Sequence, residues 1–173
     1  AFDMDAVEAH LAGKQNTISA ATHGGGCPGS RVMSLRDDKQ SAKSAGTYQA
    51  QPSELGQWPV QLALVRTQAP FFQGADLLMA ADCVPFAYPD FHSKLLRGKT
   101  VLVACPKLDD VAPYVEKLTT IFAENDINAI TIARMTVPCC GGLERLVAQA
   151  LELAGRKDIP VYTLVIGLQG EIQ

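Results

Sequence analysis

A mostly parallel α/β sheet of five strands, covered by helices on both faces, is the fold class this sequence predicts. Two patterns predict it. Short runs rich in β-branched and aliphatic residues recur from Val60 to Ile166, and amphipathic helix patterns stand between them. Strands buried on both faces read as continuous apolar runs, and their regular alternation with helices implies parallel pairing through crossovers.

Val60–Val65 reads as the first strand, followed by a short helical turn around Pro70–Phe72. Asp76–Asp82 is a second, nearly continuous apolar run that ends at Cys83. Asp90 is placed to cap a helix through Leu96, and Gly98 stops it. Thr100–Ala104 is the third strand and ends at Cys105. Asp109 and Asp110 open a helix with Val111, Tyr114, Val115, Leu118 and Phe122 on one face; Pro113 is tolerated in its first turn. The fourth strand covers residues 128–136. It stops at Pro138, where Cys139, Cys140, Gly141 and Gly142 lead into a helix over 142–154. In that helix Leu143, Leu146, Val147, Ala150, Leu151 and Ala154 fall at the spacing of a single buried face. Val161–Ile166 is the fifth strand. Right-handed crossovers between such strands give a three-layer sandwich of flavodoxin-like or Rossmann-like topology.

The chain upstream is different. Residues 1–57 form an N-terminal arm with a glycine-rich and flexible loop segment, and residues 58–173 a single α/β domain. Asp5–Leu11 is a short helix closed by Gly13. His23–Ser30 is a glycine-rich loop around Cys27, and Arg36–Gly46 has the small, polar composition of a mobile linker. The chain begins at Ala1 without a methionine, which is expected of a processed or truncated piece of something longer.

Bulk composition excludes several function classes. Of the 173 residues 47% are apolar and 19% charged, enough to bury a core. A net charge of −3 and the absence of any Lys/Arg run argue against a nucleic-acid partner. No segment approaches about 18 uninterrupted apolar residues, so no membrane span is expected. Five cysteines, an odd number in a mixed α/β sequence, suit reduced thiols or metal ligands better than a disulfide framework.

The cysteines carry the functional argument. Parallel strands place all their carboxyl ends at one edge of the sheet, and ligands of open α/β sheets bind in the crevice outside that edge. Cys83, Cys105 and the Cys139/Cys140 pair directly follow three successive strands. They are therefore expected close enough together to share a metal or a cluster, with the Cys27 loop folding over the same edge. Converging thiolates favour a soft metal, an iron–sulfur cluster or zinc. Prolines beside the sulfurs (Pro28, Pro106, Pro138, and Pro85 two residues past Cys83) preset each loop. The backbone N–H groups of Gly141 and Gly142 are candidate donors to a bound cofactor at the helix N-terminus. There is no C-x₂-C pair, and neither nucleotide-binding glycine motif is present. Any single cysteine, taken alone, reads equally well as a small buried hydrophobe.

Weaker candidates are His23 and His92 as ligands or proton donors, and Asp82 as an orienting carboxylate or a cap. Lys107 and Arg134 could offset an anionic cluster, although a solvated charge is the ordinary role of such residues.

Five segments carry a family resemblance: His23-Gly-Gly-Gly-Cys-Pro-Gly-Ser30, Gly56-Gln-Trp-Pro-Val60, Ala80-Ala-Asp-Cys-Val-Pro-Phe86, Ala104-Cys-Pro-Lys-Leu-Asp-Asp110 and Val137-Pro-Cys-Cys-Gly-Gly142. They resemble the C-terminal domain of ferredoxin-type (4Fe-4S) iron–sulfur proteins of anaerobic bacteria and archaea. Proteins of that family begin with a ferredoxin module bearing C-x₂-C-x₂-C-x₃-C-P runs, and this sequence contains none. The resemblance implies a redox setting in an anaerobe's cytoplasm and a redox partner protein, including such a module outside this chain.

The leading expectation is an iron–sulfur domain in electron transfer, a 4Fe-4S cluster foremost, with ligands from Cys27, Cys83, Cys105, Cys139 and Cys140. A structural zinc site in a docking module for a redox partner is the second reading. A cluster-free thiol or persulfide enzyme using Cys139 or Cys140 is the third.

Overall fold

β1 (Ala75–Ala81) is apolar almost throughout because it is an inner strand: only Asp76 in it is exposed. The computed structural model describes residues 51–173. β1 pairs with β2 (Thr100–Ala104) on one side and with β3 (Ile127–Met135) on the other, and β4 (Val161–Ile166) lies outside β3. Every pairing is parallel and the order is β2-β1-β3-β4. The sheet is thus of the expected parallel kind, with four strands among the described residues instead of five.

The missing strand is Val60–Val65. Only Gln61 pairs with the sheet, in a single parallel bridge to Val103. Leu62 donates to the Val103 carbonyl and Val103 to that of Val60, after which the chain turns away through hydrogen bonds from Leu64 and Val65 to Gln61. A side chain takes the place of the lost ladder. Gln57 Nε2 donates to the Val101 carbonyl at 2.6 Å, and the Val101 N–H donates to Gln57 Oε1 at 3.4 Å. The amide group mimics a strand backbone along the outer edge of β2, which protects that edge from pairing with another chain. Gln57→Ala removes both bonds and is expected to cost about 1 to 2 kcal/mol, read from the urea midpoint. The α/β unit accordingly extends upstream of Trp58: Arg97 pairs with Glu54 at 2.9 Å, and the Glu54 N–H donates to His92 Nδ1 at 3.1 Å.

Three helices connect the strands: α1 (Val84–Ala87), α2 (Ala112–Glu124) and α3 (Gly142–Ala154). The β2-to-β3 and β3-to-β4 crossovers run in the same direction across the sheet, so right-handedness puts α2 and α3 on one face. The two helices pack against each other there. Tyr114, Leu118, Ile121 and Phe122 of α2 and Leu143, Leu146, Val147 and Ala150 of α3 are buried. Val111 lies just outside α2 and is partly exposed, so the predicted face rotates toward Ile121.

The β1-to-β2 connection runs the opposite way and covers the other face. It is thin, consisting of the four-residue α1 and a π-helical turn at Phe91–Leu96 where an α-helix was expected. Asp90 makes no side-chain cap; its carboxylate pairs with Lys94, and Gly98, at φ +72°, ends the turn as expected.

Candidate functional site

The crossover that leaves β1 runs to β2 on one side, and the crossover that leaves β3 runs to β4 on the other, so the strand order reverses between β1 and β3. The crevice outside their carboxyl ends is the place where sheets of this class bind ligands. Cys83 lies two residues past β1, and Cys139 and Cys140 lie in a 3₁₀ turn, Pro138–Gly141, just past β3. Cys105 directly follows β2, on the other side of β1. The edge expected to collect the thiols collects these four.

Each sulfur is held by a turn closed on its own loop. The Cys83 carbonyl accepts from Phe86 and Ala87, at 3.2 and 3.1 Å, where Pro85 starts α1. The Cys105 carbonyl accepts from Leu108 and Asp109, at 3.1 and 2.9 Å. Asp109 completes that loop by accepting the Cys105 N–H at 2.8 Å. The Cys140 N–H donates to Val137 at 3.1 Å. The sequence reads Asp109 as a helix opener; in the structure Asp110 serves the helix by accepting the Ala112 N–H, and Asp109 reaches back to the thiol loop. Its position four residues after a strand-end cysteine was the available signal.

The loops are also locked to one another. A Cβ on Gly142 would stand 2.6 Å from Pro106 Cβ, so the Cys139/Cys140 loop and the Cys105 loop approach as closely as they do only because residue 142 has no side chain. The Gly142 N–H is taken up by the Cys139 and Cys140 carbonyls within the turn. Nothing crowds the Cβ position of Gly141. A further wall comes from the C-terminal turn, where Gly170 (φ +87°) sits against the Ala87 carbonyl at the end of α1.

Cys83 is exposed, Cys105 and Cys139 are half-buried, and Cys140 is buried; all four are free thiols. Burial pushes the Cys83 thiol up, and the nearby charges of Cys105, Asp82 and Cys139 push it further. Burial likewise pushes Cys140 up to about 11, against a hydrogen bond with the Met135 backbone and with added repulsion from Cys139 and Cys83. Asp82 lies beside them with Oδ1 buried and without a hydrogen-bond partner; desolvation and then the charge of Asp109 raise its pKa. Tyr114, buried and hydrogen-bonded to Asp109, is pushed up to about 12. Among the described residues, no group of three or more His, Cys, Asp or Glu side chains is gathered tightly enough to hold a metal ion.

The other candidates divide. Cys27 and His23 lie outside the described residues. His92 sits in the π-helical turn, engaged with Glu54. Arg134 is ion-paired with Glu144 in the first turn of α3 and donates to the Met135 carbonyl, so its charge is offset locally. A cleft of about 580 Å³ opens away from the thiols, beneath α3 and beside β4. Among the described residues no helix is long and apolar enough to cross a membrane.

Comparison with known proteins agrees with this architecture. An uncharacterized protein of Archaeoglobus fulgidus is 35% identical over 104 residues, which are 60% of this chain and 73% of the relative. No solved structure matches the chain. A family model described as a Rossmann-like domain matches residues 69–173, the segment from just before β1 to the C-terminus. The chain belongs to the Rossmann-like domain family.

Proposed function

We propose that this domain binds an iron–sulfur cluster, a 4Fe-4S cluster foremost, at the carboxyl edge of its sheet and serves in electron transfer. The observation that carries this reading is the convergence of Cys83, Cys105, Cys139 and Cys140 from three strand-end loops at one edge of the sheet. The donor set fits such a group. Four thiols are soft ligands, and a cluster spreads its ligand sulfurs more widely than a single ion does. Iron content with acid-labile sulfide separates a cluster from a tetrahedral zinc ion, which carries no sulfide.

Cys83, Cys105 and Cys139 would hold the cluster, with Cys140 or Cys27 completing the set. A bound cluster supplies one-electron chemistry. The chain's own contribution is to fix the loops through Asp109 and Gly142 and to limit water by burying Cys140. The electron partner is a protein, a ferredoxin module by the resemblance in the sequence, and the setting is an anaerobe's cytoplasm.

A nucleophilic thiolate needs a depressed pKa, and the described thiols with resolved shifts move the other way. Purification under strict anaerobic conditions is expected to yield protein with iron, acid-labile sulfide and broad visible absorption. Zinc without iron under those conditions would replace the cluster with a structural metal site. Metal-free protein with all thiols titrating freely would end both readings.

A further inference from the structure

The strand β4 has the sequence of an interior strand and the position of an edge. Val161-Tyr162-Thr163-Leu164-Val165-Ile166 is uncharged and rich in β-branched residues, which is the signature of a strand buried on both faces. Yet Val161, Tyr162 and Thr163 are exposed, Tyr162 to 60%. The hydrogen bonds fix which backbone groups point outward. The Pro160 carbonyl accepts from Ile130 of β3, whereas the Val165 carbonyl accepts from Gln173 on the outer side. Alternation along the strand then turns the N–H and C=O groups of Val161 and Thr163 outward. Among the described residues only the C-terminal stub touches that edge, through Gln173 and the bridge from Ile172 to Ile166. The edge carries no proline, lysine or bulge of the kind that blocks pairing.

We infer that the outer edge of β4 pairs antiparallel with the same edge of a second copy of this chain, making one continuous sheet across a two-fold axis. The edge complements itself. Centring the axis on Tyr162 pairs Val161 of each copy with Thr163 of the other, which satisfies all four outward groups, and sets the two Tyr162 rings opposite each other. Charge agrees with this register. Exposed Lys157, just upstream of β4, comes opposite the far end of the other copy's strand, where the Glu171 carboxylate lies over Gly167. On the helical face the arrangement brings the two α3 helices alongside each other over the junction. It covers the cleft whose floor includes Ile132, Val161 and Thr163 and whose wall includes Leu151. This inference is independent of the thiol reading.

Sedimentation equilibrium of the full 173-residue chain tests it, with amide hydrogen exchange on the same samples. The expected mass is twice the 18.5 kDa of one chain, with slow exchange at Val161 and Thr163. Thr163→Pro removes an outward N–H without touching the ladder to β3, and proline is tolerated at such a position. Val161→Lys places a charge in the paired edge. Each is expected to return the mass to that of one chain and to speed exchange at the remaining edge amide. A dimer that survives both substitutions, or a monomer with unprotected edge amides, overturns the inference. A monomer in which those amides are protected also overturns it, because the chain's own residues 1–50 would then cover the edge.

Discussion

Cys105→Ser is expected to strip the protein of its iron while leaving the sheet folded. Cys105 follows β2 at the edge of the molecule and is half-buried, so its sulfur contributes little to the apolar core. What shapes its loop is backbone. The Cys105 N–H goes to Asp109, and its carbonyl takes two further bonds, from Leu108 and Asp109. Serine keeps all three. The substitution therefore removes a soft ligand and nothing else that the loop needs, and a hydroxyl is a poor ligand for a metal that selects thiolate. Stability of the metal-free protein should change by no more than about 0.5 kcal/mol, the usual range for a substitution outside the core. Iron, sulfide and visible absorption should be lost together. Full retention of iron in the folded variant would remove Cys105 from the site and leave thiols on only two of the described loops.

What could be read in the sequence follows from what depends on local pattern. β1, β3, β4, α2 and α3 were legible because each carries its own periodicity, and parallel strands then place their carboxyl ends together. That is why three successive strand-end cysteines predicted one thiol edge. Val60–Val65 misled because an apolar run reports burial rather than pairing: Leu62 and Val65 are fully buried, but a turn after Gln61 and the Gln57 amide take over the edge. The π-helical turn at Phe91–Leu96 has apolar residues at helical spacing, and nothing in that spacing separates a π-turn from an α-turn. At the candidate site, residue type placed the cysteines at the carboxyl edge of the sheet but did not give the part each neighbour plays. Asp109 looked like a cap because aspartate at a helix start ordinarily is one, and its tie to Cys105 depends on a loop closing in three dimensions. Gly142 looked like a backbone donor, whereas its N–H is spent inside the turn and its missing side chain is what counts.

That distinction gives Gly142→Ala the second large effect. An alanine Cβ at 142 meets Pro106 Cβ at 2.6 Å and Pro106 Cγ at 3.0 Å. Neither atom is the free end of a flexible side chain, since the proline ring is fused to its backbone, so one loop must move. The backbone at Gly142 is ordinary helix (φ −60°, ψ −31°), and alanine is the better helix former there. The expected loss of about 1 to 3 kcal/mol is therefore overpacking alone. The movement has a second consequence, because Pro106 follows Cys105 directly. Parting the loops carries the Cys105 sulfur away from Cys139 and Cys140, and metal occupancy should fall further than global stability does. Gly141→Ala is the matched control. Its φ of −60° and ψ of −14° suit alanine, and its Cβ position is open. It should be neutral or stabilising by about 0.4 to 1 kcal/mol, with metal content intact. Urea unfolding of both variants without metal, followed by iron analysis of both after anaerobic reconstitution, separates the two effects. If Gly142→Ala binds iron as fully as Gly141→Ala does, the contact between the two loops plays no part in assembling the site.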